Sequence, residues 1–301
     1  MNQALDSANL QFNQGSLLLL NLSLAIIMFG VALDLKISDF KYIAKSPRSF
    51  FIGVISQFVL LPLVTYLLVI IFTPQPSIAL GMMLVAACPG GNVSNFISHM
   101  AKGNTALSVS LTAFSTVFAI FLTPLNFSLW ASLYTPTADM LQTISLDYEE
   151  VFFTVLIILG IPLLVGMLVR HYLPAWSTKA SKILKPLSIL IFAGFVAVAF
   201  ANNYGLFLKF IWTIFAWVLI QNLAALSTGY TIAKLGRLNL ADTKTITIET
   251  GIQNSGLALV IIFTYFDGLG GMAIIAAWWG IWHIIAGMGL ATFWSEERNK
   301  R

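Results

Sequence analysis

Inside an apolar run from residue 243 to residue 266, the chain carries Glu249-Thr250-Gly251-Ile252-Gln253-Asn254-Ser255-Gly256, which sets a carboxylate, two amides and two glycines among aliphatic neighbours. Neither a soluble core nor a lipid-facing helix tolerates that grouping without partners, because a buried polar group needs a hydrogen bond and a buried charge needs more. About 160 residues earlier, Pro89-Gly90-Gly91-Asn92-Val93-Ser94-Asn95 interrupts the apolar run 78–100 in the same way. Two interrupted helices at corresponding places in the halves of a membrane chain mark a binding site near the middle of the bilayer.

The membrane assignment rests on composition. The chain is 58% hydrophobic and 9% charged with a mean hydropathy of +0.87, against about 25% charged residues in soluble domains. The isoelectric point near 9.2 does not point to nucleic acid, since the basic residues stand singly between apolar runs and form no stripe. The single cysteine, Cys88, excludes an internal disulfide and a multi-cysteine metal site. Residues 1–16 hold no Lys or Arg, so a cleaved signal peptide is not expected and the first span should remain.

Runs long enough to cross a bilayer, about 20 residues each, fall at 17–33, 50–72, 78–100, 106–133, 151–169, 187–201, 210–233, 243–266 and 269–293. Nine spans with the N-terminus outside place Lys36, Lys41, Lys45, Arg48, Lys102, Arg170, Lys179, Lys182, Lys185, Lys234, Arg237, Lys244, Arg298, Lys300 and Arg301 on the cytoplasmic side. Only Lys209 falls outside, and Asp139, Asp147, Glu149 and Glu150 share one external loop. That segregation obeys the positive-inside rule, and an error of one span would scramble it. The longest connection, around 134–150, is too short to fold alone. The expected architecture is an all-α polytopic membrane protein, one transmembrane domain over residues 1–301.

An internal repeat is visible. Val54-Ile55-Ser56-Gln57 is followed nine residues on by Tyr66, and Val218-Leu219-Ile220-Gln221 nine residues on by Tyr230. Each motif precedes an interrupted span and the two start on opposite sides of the membrane, as inverted repeats do. The repeats would run over about 16–134 and about 150–294, the first with four spans and the second with five.

Glu249 lies roughly 9 Å into its span at 1.5 Å per residue, and a carboxylate at that depth is kept by a partner, a proton or a cation. Ser94, Asn95, Gln253 and Asn254 supply hydroxyl and amide oxygens at the two breaks, and Gln57 sits mid-span in the preceding run. Ser108 and Thr112, spaced i and i+4, place two hydroxyls on one helix face. Unwound carbonyls such as those of Thr250 and Ile252 are further ligands of the same type. Neutral oxygens with one carboxylate suit a hard cation, with no acidic cluster for calcium and no His/Cys cluster for zinc. Sodium fits best, and a proton stays open on this inventory. Gly90, Gly91, Gly251 and Gly256 allow open backbone where it lines a cavity. Pro89 ends the first half-helix. Half-helices restarting near Val93 and Ser255 would aim exposed amides at an anionic ligand.

At these residues the chain resembles the bile acid:sodium symporter family. Pro89 to Asn95, Gly103-Asn104 with Leu107-Ser108, Thr112 with Ser115-Thr116, and Glu249 to Ala258 all look like its signatures, with Gln57 in place. The resemblance covers nearly the whole chain and implies a panel domain and a core domain in which two broken helices cross. It implies one sodium site from Ser94, Asn95, Ser108, Thr112 and Glu249. A second would take Gln57, Glu249, Gln253 and the carbonyls of Thr250 and Ile252. The substrate would meet Asn92, Val93, Asn254, Ser255 and His283. Trp282-His283 is similar to the motif that ends the core, with Ile284 where bacterial relatives often carry Asn. On this resemblance the chain is expected to be a nine-span member without the leading helix of ten-span relatives.

The expected function is therefore sodium-coupled import of an organic anion, bile-acid-like or a smaller carboxylate such as pantoate or a keto acid, with two sodium ions. No enzymatic activity and no obligatory protein partner are expected. A bacterial inner membrane, with the C-terminus cytoplasmic, is the expected location. Three other readings compete, one of them a substrate-binding sensor that never completes transport. Cys88 beside a break would suit a metalloid efflux carrier, and Ser255 with His283 an intramembrane serine protease.

Overall fold

The computed structural model describes residues 6, 14–35, 45–91, 93–143, 153, 156–202 and 204–297. Asn92, the basic residues Lys36, Lys41, Arg298, Lys300 and Arg301, and the acidic Asp147, Glu149 and Glu150 lie outside the described residues. Within them the regular structure is helical and no strand forms. In chain order the helices are α1 (Gln14–Ala32), α2 (Pro47–Phe72), α3 (Pro76–Ala87), α4 (Val93–Met100), α5 (Thr105–Leu133), α6 (Thr135–Thr143), α7 (Ile161–Tyr172), α8 (Pro174–Asn202), α9 (Tyr204–Leu235), α10 (Leu240–Gly251), α11 (Ser255–Tyr265) and α12 (Gly270–Glu297). Every apolar run of the sequence carries helix. Pro47–Phe72, Thr105–Leu133, Leu208–Leu235 and Gly270–Ser295 are each long and apolar enough to cross a membrane. The chain is an all-α polytopic integral membrane protein.

Two helices are not what hydropathy anticipates. Helix α8 starts at Pro174, well ahead of the apolar run 187–201. Its polar first half is fastened to the turn after α1, where Ser177 Oγ donates to Leu33 O at 2.7 Å and Ser181 Oγ to Asp34 Oδ1 at 2.5 Å. Helix α6 forms inside the long connection after α5. Thr137 Oγ1 donates to Ala131 O at 2.6 Å and to Tyr134 O at 2.8 Å, which folds α6 back onto the end of α5.

The helices fall into two groups by packing. Helices α1, α7 and α8 pack chiefly on one another. A Cβ at Gly166 of α7 would lie 2.4 Å from the Ala32 Cβ of α1, so only glycine permits that approach. The second group is built on the broken helices. Residues Ser77 to Ala87 of α3 are buried on every face, as are residues Leu257 to Phe263 of α11. A helix apolar all round is stable in such surroundings, whereas a two-sided one would waste its polar face.

Helix α10 has a polar root. Asp242 accepts from Ser49 Oγ at 2.6 Å, from Asn104 Nδ2 at 2.7 Å and from Asn239 Nδ2 at 3.1 Å, which joins α10 to α2 and to the turn before α5. The buried Lys244 donates from Nζ to Ala101 O at 2.9 Å and to Trp294 O at 3.3 Å, near the C-terminal ends of α4 and α12, where helix dipoles favour a cation.

Helix α9 lies along α10. A Cβ at Gly229 would come within 2.8 Å of Ile246 O and of Thr247 Cα, both main-chain atoms that cannot turn aside. Overpacking of this kind costs about 1–3 kcal/mol. Gly229→Leu is therefore expected to lower the melting temperature of the purified protein by several degrees, measured in detergent by intrinsic fluorescence.

Candidate functional site

The site is built where the two breaks meet. The first half-helix ends at Ala87, and Cys88 turns extended (φ −69°, ψ 156°), as a residue before proline prefers. The second half-helix ends at Gly251, and Ile252 is extended too (φ −115°, ψ 103°). The two extended stretches pair antiparallel about Gly90 and Gln253. Gly91 N donates to Ile252 O at 3.1 Å, and Asn254 N donates to Pro89 O at 2.8 Å. Each break thereby satisfies backbone groups that the other leaves open, as the membrane interior demands.

Beside this ladder stands Glu249, 1% exposed. Ser94 Oγ donates to Glu249 Oε1 at 2.6 Å, Ser108 Oγ donates to the same oxygen, and Thr112 Oγ1 lies 3.2 Å and 3.1 Å from the two carboxylate oxygens. Asn95 Oδ1 faces the same hydroxyls, 2.9 Å from Ser108 Oγ and 3.2 Å from Thr112 Oγ1. Three hydroxyls offer one proton each, and they confront both carboxylate oxygens and an amide oxygen. Each of those three oxygens carries at least two lone pairs, so acceptor sites outnumber the three protons and lone pairs are left for a cation.

The neighbouring space is shaped by Gly90. A Cβ there would lie 2.9 Å from Glu249 Oε2, 3.1 Å from Gln57 Nε2 and 3.7 Å from Ser115 Oγ. Gln57 and Gln253 are each 1% exposed. Gln253 Nε2 donates to Thr250 O at 2.9 Å, while Gln253 Oε1 and Gln57 Nε2 have no protein partner. An amide flip would present the Gln57 oxygen in place of its nitrogen without moving other atoms. The carbonyls of Thr250 and Ile252 each hold one hydrogen bond, from Gln253 and from Gly91, and a carbonyl has a second lone pair.

Helices α4 and α11 restart at Val93 and Ser255, but their amides are less open than the sequence suggested. Ser255 N donates to Gln253 O at 3.0 Å, and Leu257 N to Asn254 Oδ1 at 3.1 Å, since Asn254 caps α11. Ser94 N donates to Gly91 O at 2.8 Å. His283 lies on α12, buried, with Nδ1 unpartnered and its ring edge-on to Trp279. One turn further along α12, a Cβ at Gly287 would meet Ile252 Cδ1 at 2.8 Å, so His283 stands one turn from the crossing.

Residues 21–210 match the model of the Sodium Bile acid symporter family. The chain belongs to this family. The match takes in the first break and stops ahead of the second, but alignments with relatives extend over both. An uncharacterized sodium-dependent transporter of Bacillus subtilis (strain 168) is 34% identical over 278 residues, covering 92% of this chain and 83% of the relative. The ileal sodium/bile acid cotransporter of Oryctolagus cuniculus is 30% identical over 252 residues, 82% of this chain and 70% of the relative. A chloroplast protein of Arabidopsis thaliana described as a probable sodium/metabolite cotransporter is 28% identical over 278 residues, 92% and 67% of the two chains. The family is one of transporters rather than enzymes, so the serine-protease reading falls. Among the described residues no group of three or more His, Cys, Asp or Glu side chains could hold a metal ion.

Several side chains of this family member escape a reading of the sequence. Ser98 is buried, and its Oγ lies 3.3 Å from that of Ser108. Ser56 Oγ lies 2.7 Å from Thr250 Oγ1. Ser56 and Gln57 open a π turn, Ser56–Leu60, in which Leu61 N reaches back to Ser56 O. Pro62 follows at once and contributes no N–H to the helix. Such turns often sit at functional sites, and here one turns two neighbouring polar side chains inward. Ser115 and Thr116, by contrast, donate to Thr112 O on their own helix. Gly90→Ala is expected to reduce sodium-driven uptake about tenfold or more, equivalent to at least about 1.4 kcal/mol, in vesicles normalised for protein. Gly289→Ala, where a Cβ meets nothing within 4 Å, should leave uptake unchanged.

Proposed function

We propose that this chain is a sodium-coupled symporter that imports a small organic anion by alternating access, two sodium ions accompanying each anion. The observation that carries the reading is the acceptor-rich cluster about Glu249, fed by hydroxyls from α4, which follows the first break, and from α5. One ion takes Ser94, Asn95, Ser108, Thr112 and Glu249. The other takes Gln57, Gln253, Glu249 and the carbonyls of Thr250 and Ile252. The unpartnered Gln253 Oε1 supports this second assignment.

Hydroxyls suit a site that must fill and empty. With no cation present, each donates to the carboxylate and keeps the buried charge satisfied. When sodium arrives, each rotates about its C–O bond and offers a lone pair. Glu249 serves both ions, so the first to bind fixes the carboxylate for the second. Two ions (+2) and Glu249 (−1) leave +1, which a monovalent anion neutralises. Asn92, Val93, Asn254, Ser255 and His283 form its side of the site. The buried ring of His283 one turn from the crossing supports its place in that set. A bile-acid-like compound or a smaller carboxylate such as pantoate or a keto acid fits the charge. Inward movement of two sodium ions with one anion adds about 2.3 kcal/mol per 100 mV of inside-negative potential.

The same proposal takes nine spans built as inverted repeats of about 16–134 and about 150–294, with the N-terminus outside and the C-terminus in the cytoplasm of a bacterial cell. The segregation of Lys and Arg supports that orientation.

Sodium should stabilise the purified protein against heat where equal potassium does not, by about 2.7 kcal/mol at a hundredfold excess over the dissociation constant. Glu249→Ala should abolish the difference. Equal responses to the two ions in wild type would sink the sodium assignment. A panel of organic anions added on top of sodium then identifies the substrate by its further shift.

A further inference from the structure

The first break contains a proline, and Pro89 has no N–H with which to continue a helix. The second break, Gly251-Ile252-Gln253-Asn254, contains none. An unbroken helix through it would give Thr250 O to Asn254 N, Gly251 O to Ser255 N and Ile252 O to Gly256 N. Each of these carbonyls has a substitute donor instead. Thr250 O takes Gln253 Nε2 at 2.9 Å, and Ile252 O takes Gly91 N at 3.1 Å. Gly251 O takes Asn222 Nδ2 at 2.8 Å, from helix α9.

Asn222 is 1% exposed and is held for this task. One turn on, Leu226 Cδ2 occupies the space beside Gly251, 2.3 Å from where a Cβ would be. Gly229 then seats α9 on the main chain of α10. The preceding residue, Gln221, points to the other broken helix and donates from Nε2 to Met82 O at 2.8 Å.

We propose that Asn222 is a positioning residue that keeps the second helix break open, by holding the one carbonyl that Ser255 N–H would take if the helix closed. Ser255 N is close at hand, because it now donates to Gln253 O at 3.0 Å. With Gly251 O drawn to α9, the peptide planes on either side stay turned so that the carbonyls of Thr250 and Ile252 meet Gln253 Nε2 and Gly91 N and each keeps a lone pair for an ion. This rests on the reading of those carbonyls as sodium ligands.

The test is the sodium concentration for half-maximal thermal stabilisation of the purified full-length protein, with potassium held as the balancing ion. Asn222→Leu keeps the side-chain size and removes the donor. It should raise that concentration about tenfold, the loss of one buried hydrogen bond of about 1.4 kcal/mol. Adding Ser255→Pro removes the competing N–H, at the first helical position where proline is well accommodated. The double variant should regain most of the wild-type sodium affinity, which a packing role for Asn222 would not allow. If Asn222→Leu does not fold, Asn222→Ala takes its place with the same expected shift and the same rescue. An unchanged sodium midpoint in the single variant overturns the proposal, as does a weakened single variant that Ser255→Pro fails to restore. A wild type indifferent to sodium would instead bring down the sodium reading itself, and the role of Asn222 with it.

Discussion

The structure depends on two main-chain hydrogen bonds, Gly91 N to Ile252 O and Asn254 N to Pro89 O. A helix opened in mid-membrane leaves carbonyls and amides that lipid cannot satisfy, at about 1–3 kcal/mol for each group. Here each opened segment serves as the other's partner. The consequence is mutual dependence: neither α3 with α4 nor α10 with α11 could hold its broken form alone. The glycines at the contact are there for space. Gly90 keeps the ladder flat against Glu249 and Gln57, and any side chain would push the carboxylate away.

Around that ladder the polar residues divide by the directions in which they turn. Ser108 and Thr112 face Glu249, and Ser115 and Thr116 one turn on bond to their own helix. Residue type alone does not separate these pairs. The difference lies in the acceptor within reach, the Glu249 carboxylate for the first pair and the Thr112 carbonyl for the second. Asp242 and Lys244 root α10 at its other end, so the helix that carries Glu249 is fixed at both of its termini.

Much of this was legible in the sequence, for identifiable reasons. A proline and paired glycines inside apolar runs announce breaks, and a single carboxylate in such a run announces a site. Hydroxyls four residues apart announce a shared face. Asn222 carried no such mark. Its partner is a main-chain carbonyl, which every residue has, and nothing in the spacing of side chains reveals that one carbonyl is orphaned. Gln57 and Gln221 looked equivalent in the repeat, yet Gln57 reaches the crossing and Gln221 reaches Met82 O and Thr65. The start of α8 and the whole of α6 escaped because hydropathy registers what lipid will accept, and both are held by hydroxyl-to-carbonyl bonds.

Glu249, Asp242 and Lys244 share one rigid rod, α10. The formal charges of Asp242 and Lys244 cancel, so the rod's net charge is that of Glu249 alone. With two sodium ions and a monovalent anion aboard, as proposed, the moving assembly is neutral and indifferent to the membrane field. Emptied, it carries one negative charge. The field of an inside-negative cell then acts on the unloaded carrier, pushing it back toward the outer face, and the driving force of the potential is delivered on the return stroke rather than during the passage of cargo.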